Sequence, residues 1–280
     1  MTERLAEVTT RIQGMRQLGA VVNAMRGIAA ARAQQARGQL KAVELYAGTI
    51  AAAIGRALAL PGGGTLDPVR RSARPALVLF CAEQGFAGAF SERLLDHAGA
   101  ELSTTAVFLV GSRGGRTMAE RGLTPVWQTA MPAQSSGVPK LADHIVEALY
   151  KNISNGAIGG LDVMFSRWTP GRKIGIERLQ LFPMDVAALA PAAAMAPPLV
   201  NLPAPALLSG LAANYLHAQL SSAALHAFAA ENEARVEVMA GARQQIDEQM
   251  TELQAQQRQV RQEDITAEII ELAAGESATR

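Results

Sequence analysis

The chain has 280 residues, of which 49% are hydrophobic and 18% charged, with a formal net charge of +1. That length allows one or two domains with a sizeable core, and the near-neutral balance gives no global pull toward nucleic acid or a membrane surface. A single cysteine, Cys81, excludes an intramolecular disulfide and fits a reducing compartment.

The N-terminal MTERLAEVTT lacks a cationic-then-apolar leader pattern. No apolar run is long enough to span a bilayer, so any membrane association is expected through partners. All 13 prolines lie between Pro61 and Pro205. Proline breaks helix interiors, so both ends of the chain are free to form long helices.

Residues 1–59 are expected to be the first helix. Leu5, Val8, Ile12, Met15, Leu18, Val22, Met25 and Ala29 recur with the mean step of a left-handed coiled coil. Glycines at 14, 19, 27, 38, 48 and 55 each cost about 1 kcal/mol against alanine. They are tolerable if a partner helix packs closely there.

Residues 70–190 read as a small Rossmann-like α/β domain. Ala76–Cys81, Ala106–Val110, Leu161–Phe165 and Ile174–Phe182 are strand candidates. Ser91–Leu102, with Ser91 as N-cap, and Val138–Asn152 are helix candidates. The alanine- and proline-rich Ala187–Pro205 is expected to link this domain to the last helix.

Residues 206–275 are expected to be the second long helix. Leu208, Leu211, Tyr215, Leu220, Ala224 and Phe228 form its first apolar stripe. Ile246, Met250, Leu253, Val260, Ile269 and Leu272 continue it. At ~1.5 Å per residue such a helix reaches on the order of 100 Å, which implies a projecting rod. Residues 1–58 carry a charge of +5 and residues 206–280 a charge of −6. The contrast favours an antiparallel two-helix coiled coil built from the two chain ends.

The residues offer no catalytic, cofactor or metal constellation. Gly85-Phe-Ala-Gly88 follows the first strand but lacks the three glycines of a dinucleotide fingerprint, and reads as a structural turn. Gly111-Ser-Arg-Gly-Gly-Arg116 could hold an anion at a strand end, though a polar loop is the simpler reading. The four histidines lack metal-ligand spacing, and Cys81 reads as a buried inert thiol. The carboxylate pairs Glu231/Glu233, Asp247/Glu248 and Glu263/Asp264 read as a solvated face of the last helix.

This architecture and the following motifs resemble the gamma subunit of F-type ATP synthases. Ile12–Arg32 is similar to the family's first-helix pattern, with Ala24, Met25, Ala29 and Ala30 matching and Val22, Asn23 and Gly27 departing. Glu83–Ser91 keeps two glycines of the family's turn after the first strand, and Val110–Gly114 resembles its I-G-x-K-G. Ala230–Met239 is similar to its S-E-x-x-A-R-M-x-A-M segment. Arg261–Leu272 retains Arg261, Gln262, Ile265, Thr266, Glu268 and Glu271 of its R-Q-x-x-I-T-x-E-L-x-E-I. The departures suggest a divergent branch, such as an alternative bacterial ion-pumping ATPase.

The resemblance implies a non-catalytic rotor shaft that couples ion flow through a membrane ring to ATP synthesis or hydrolysis. Its partners would be three alpha and three beta subunits around the helices, and epsilon and the c-subunit ring against the α/β body. It would sit peripherally on the cytoplasmic face of a bacterial inner membrane. Met25, Arg26, Arg235, Gln262, Thr266 and Glu268 would lie at rotor–stator contacts. Two other classes remain open. A nucleotide-dependent α/β enzyme would bind nucleotide as the isolated chain. A non-rotary coiled-coil scaffold would self-associate.

Overall fold

A computed structural model describes residues 2–60, 74–154, 157–184 and 199–278. Two long helices, α1 (Thr2–Leu58) and α6 (Ala204–Ala278), bracket a five-stranded sheet. The chain divides into a terminal unit, residues 1–29 with 236–280, and a central unit, residues 30–235.

In the terminal unit the two helices pack antiparallel. Val8 and Ile12 meet Leu253, with Met15 and Met250 alongside. Val22 meets Met239 and Ile246, with Met25 and Ala242 alongside. The expected stripe holds except at Leu18, which is 48% exposed. Gly19 takes its place, because steps of three and four from Ile12 through Met15 lead to residue 19. A Cβ at Gly19 would come 2.8 Å from Arg243 Nη1 and 3.5 Å from Ile246 Cγ2. By contrast, Gly14 and Gly27 have nothing within 4 Å, and neither have Gly38 and Gly48 in the central unit. Close helix packing is therefore not what accommodates those four.

The seam on α6 ends at Val260. Ile269, expected on the stripe, is 60% exposed. Arg4, near the start of α1, lies against Glu263 at 3.7 Å, about a turn and a half before Ile269 on α6. The side chain of Leu272 lies outside the described residues.

In the central unit the strands are β1 (Arg74–Phe80), β2 (Ala106–Val110), β3 (Trp127–Thr129), β4 (Ile158–Arg167) and β5 (Gly175–Phe182). Their order across the sheet is β3-β2-β1-β4-β5, parallel except for β5, which runs antiparallel to β4. The unbroken apolar runs of β1 and β2 follow from burial on both faces. On one face Val78, Phe80, Phe108 and Val110 pack against α5 (Val138–Ser154), α1 and α6. On the other, Leu77, Leu79, Cys81, Val107 and Leu109 pack against α2 (Phe90–Ala98), α3 (Glu101–Thr104) and α4 (Ser112–Glu120).

The stretch of α6 from Ala218 to Asn232 is buried or half-buried on every side, lying between α1 and the sheet, and alanines at 223, 224, 227, 229 and 230 let it fit. This is where the low aromatic content is used.

Three local expectations change. Ser91 is not an N-cap but sits inside the first turn of α2, where its hydroxyl accepts the Ala82 N–H at 3.1 Å. The expected single helix to Leu102 breaks after Ala98, because Gly99 adopts φ +53° and returns its N–H to the Leu95 carbonyl. Residues 112–116, read as a loop, open α4. The short edge strand β3 was too brief for a periodic signal. Most of the Ala187–Pro205 linker lies outside the described residues; its last two residues already belong to α6.

Candidate functional site

The turn between β1 and α2 is where the sheet is tied to α6, within the central unit. Phe86 and Gly88 both take positive φ, 61° and 60°, which lets the chain reverse closely. The turn is held by a polar cluster on α6. One carboxylate oxygen of Glu231 accepts the Gln84 N–H at 3.1 Å and Arg235 Nη2 at 2.6 Å. Its other oxygen accepts the Glu83 N–H at 3.3 Å. Arg235 donates from Nε to the Gly85 carbonyl at 3.0 Å and from Nη1 to Asn232 Oδ1 at 2.9 Å. Glu231, Asn232 and Arg235 are only 3%, 2% and 4% exposed.

Glu231 was expected on a solvated face. The sheet's loops cover that side of α6, so the carboxylate is instead buried and matched to a cation and two amides. Burial of such charges is tolerable only because partners satisfy them. Glu233, the other member of that expected pair, is half-buried and pairs with Arg37. The Arg37 guanidinium lies 4.6 Å over the Trp168 ring. Arg32 donates to Gln84 Oε1 at 3.3 Å. Ala82, Ala87, Phe90, Ala230 and Ala234 pack as an apolar collar, with Trp168 and Ile174 against it.

On its far side the turn is anchored by Glu83. Its carboxylate accepts the Ser112 N–H at 3.0 Å, the Ser112 hydroxyl at 2.7 Å and the Met131 N–H at 3.0 Å. The strand-end position considered as an anion site is thus filled by the chain's own carboxylate.

A second cluster joins α1, β4, β5 and α6. His226 stacks on Phe165 at 5.7 Å between centroids, and its Nε2 lies 2.7 Å from Arg167 Nη2 and 3.3 Å from Glu44 Oε1. Arg167 also donates to Glu177 at 3.1 Å. Guanidinium can only donate, so the close Arg167 contact needs Nε2 as acceptor and disfavours protonation of the ring, against the pull of Glu44. Burial first, and the Arg167 charge second, push the His226 pKa below its ordinary value. Burial pushes the Cys81 thiol up to about 12, so it is inert at neutral pH. Among the described residues no group of His, Cys, Asp and Glu could hold a metal ion, and no helix is long and apolar enough to cross a membrane.

The residues named from the sequence as contacts fall in different settings. Met25 is half-buried in the Val22–Met239–Ile246 cluster. Arg26 is exposed and donates to Asn23 Oδ1 at 3.2 Å. Gln262, Thr266 and Glu268 are exposed on α6, and the Thr266 hydroxyl donates to the Gln262 carbonyl. Arg235 belongs to the central unit and points inward to the turn. Glu231, Asn232, Glu83 and Ser112 were not singled out as a set. The available signal was Glu231 and Arg235 at i, i+4, directly after the apolar run Ala223–Ala230 with its single histidine.

Two long helices at the chain ends, with a mostly parallel five-stranded sheet between them in sequence, are the fold of an ATP synthase central stalk. The structure aligns with a chain of the Euglena gracilis mitochondrial ATP synthase OSCP/F1/c-ring assembly at TM-score 0.68 and 14% identity, covering 100% of this chain and 95% of that one. A chain of the Tetrahymena thermophila mitochondrial central stalk and c-ring gives TM-score 0.54 at 12% identity, covering 79% and 99%. In sequence, the ATP synthase gamma chain of Clavibacter michiganensis subsp. michiganensis is 25% identical, covering 99% of this chain and 98% of that protein. That of Kineococcus radiotolerans is 26% identical, covering 99% and 97%. A family model described as ATP synthase matches residues 4–279. The chain therefore belongs to the ATP synthase gamma-chain family.

Proposed function

We propose that this chain is a shaft without catalysis of its own, turning inside a ring of alpha and beta subunits and footed on epsilon and a c-subunit ring. Its place would be peripheral, on the cytoplasmic face of a bacterial inner membrane. The observation that carries the reading is the buried Glu231–Asn232–Arg235 cluster. It binds the α/β body to α6 through side chains that also satisfy backbone groups of the β1–α2 turn. A body that must pass torque to a helix needs such a joint. An apolar contact alone resists sliding weakly, whereas fixed hydrogen bonds set one register.

Arg26, Gln262, Thr266 and Glu268 then offer polar, rotatable contacts to the stator, with Met25 at the edge of the seam. Arg235 acts from beneath the surface, through the turn it holds. Polar surface of this kind permits release at each step, where a fully apolar rod would adhere.

The test is a tagged pull-down from native membranes, with bound chains weighed and ATP hydrolysis assayed. Co-purification of alpha and beta chains in equal amounts, with ATPase activity, is the expected result. Recovery of the chain alone, or as a homodimer without ATPase, would overturn the proposal. Alanine at both Arg26 and Gln262 is expected to slow turnover without preventing assembly. Unchanged turnover would remove those two from the contact set.

A further inference from the structure

We propose that Glu83 is a positioning residue for rotary coupling, the pin through which the sheet bears on α6; this rests on the shaft reading above. Two independent sets of contacts meet at this one residue. Its side chain reaches away from α6, to the first N–H and the hydroxyl of α4 at Ser112 and to the N–H of Met131 in the loop after β3. Its backbone N–H faces α6: the Glu83 and Gln84 N–H groups are held by the Glu231 carboxylate and the Gly85 carbonyl by Arg235, while the Glu83 carbonyl itself lies 3.3 Å from the Ser112 hydroxyl. Beside the apolar contact of the sheet with α6 and the Arg113 N–H bond to the Ala82 carbonyl, Glu83 therefore gives α4 and the β3 loop a polar route to α6.

The sequence around the contact is shaped to let the carboxylate in. Gly111, between β2 and α4, has φ +102°, and a Cβ there would strike the Cys81 carbonyl. Being glycine, it brings no capping side chain to α4, and the first turn of α4 has no acidic residue. Glu83, 29 positions earlier, supplies the missing acceptor. All three donors are neutral groups and both N–H groups share one Glu83 oxygen, so the position needs acceptor geometry more than it needs charge. Glutamine can meet that need. Its carbonyl oxygen accepts both N–H groups, and its amide donates to the Ser112 oxygen. Alanine cannot.

The experiment uses the purified complex in inverted membrane vesicles, measuring ATP hydrolysis and ion uptake together with thermal unfolding of the full chain. Glu83→Ala is expected to assemble and hydrolyse ATP but to lose ion uptake per ATP. Glu83→Gln is expected to keep the wild-type ratio. Sodium formate, a carboxylate small enough for the vacated position, is expected to raise the ratio of Glu83→Ala above that in sodium chloride of equal strength, and to leave wild type unchanged.

If Glu83→Ala does not assemble, Ser112→Pro takes its place. Proline is favoured at the first helical position, and glycine before it accepts the required backbone, so this change deletes two of the three donors without breaking α4. Loss of ion uptake per ATP in that variant supports the proposal. A lowered melting temperature with an unchanged ratio in either variant would show a stabilising contact only and overturn it. A wild-type complex that hydrolyses ATP without this chain bound overturns the shaft reading, and the pin with it.

Discussion

Arg235 shows how one side chain can look like a surface contact in sequence and be an internal strut in structure. Removing it leaves the Glu231 carboxylate buried without its cation, at a cost of about 3–5 kcal/mol. Arg235→Ala is therefore expected to lower stability by about that much, read from urea unfolding of the isolated chain. Many buried ion pairs can be replaced by apolar residues with little loss. This one differs, because it also satisfies the Glu83 and Gln84 N–H groups and the Gly85 carbonyl. These backbone groups are only part-buried, and losing the hydrogen bond at each costs about 1 kcal/mol. The double change Glu231→Leu with Arg235→Met is thus expected to remain destabilised by at least about 2 kcal/mol; a double variant as stable as wild type would contradict the arrangement.

His226 makes a pH prediction of defined sign. Its folded pKa lies below the ordinary 6.5, so between 6.5 and that lower value the unfolded chain binds more protons than the folded one. Stability is full above pH 6.5 and falls as the pH drops below it. The facing groups are Arg167 on β4, Glu44 on α1 and Glu177 on β5; burial and then the arginine lower the pKa, and the two carboxylates oppose them without reversing the shift. His226→Gln can still accept from Arg167 but does not titrate. Its stability is expected to fall less than wild type's between pH 7 and pH 5, and parallel curves would refute the assignment.

At the scale of elements, α1 carries four glycines that no described residue packs against. Gly14, Gly27, Gly38 and Gly48 have open space where a Cβ would stand. In an exposed helix interior each costs about 1 kcal/mol against alanine. Gly27→Ala with Gly38→Ala is expected to raise the melting temperature of the isolated chain by about 4 °C, taking about 2 °C per kcal/mol at this size. A drop would show that a partner helix packs there after all.

The elements were largely legible. Two proline-free ends gave the long helices α1 and α6, unbroken apolar runs gave β1 and β2, and Leu161–Phe165, apolar but for Asp162, gave the centre of β4. The signal failed where the cause was not periodic. Gly99 stops α2 through its own backbone conformation, β3 is three residues long, and the antiparallel turn of β5 leaves no mark on its composition. The candidate site was less legible still. Glu231 and Arg235 differ from surface charges only because the β1–α2 turn lies over them, and that coverage joins residues almost 150 positions apart.

Taken whole, the molecule poses a choice between charge and apolar burial as the force pairing its two ends. The opposite charges of the terminal segments suggest electrostatic pairing. Yet the Arg–carboxylate bridges between α1 and α6 among the described residues are Arg37–Glu233 and the exposed Arg4–Glu263, and exposed pairs contribute about 0–1 kcal/mol each. Against them stand Val8, Ile12, Val22, Ile54, Leu208, Met239, Ile246 and Leu253, all buried, each worth about 1.5–3 kcal/mol. Burial wins by roughly an order of magnitude. Raising sodium chloride from about 0.05 M to about 0.5 M, which cuts the screening length severalfold, is therefore expected to move the melting temperature by no more than about 2 °C. A fall of about 10 °C would mean that charge holds the helices together. The contrast in charge has its effect earlier, in partner choice: like-charged N-terminal segments of two chains repel, so each finds the C-terminal segment of its own chain, and the isolated chain is expected to sediment as a monomer even at low salt.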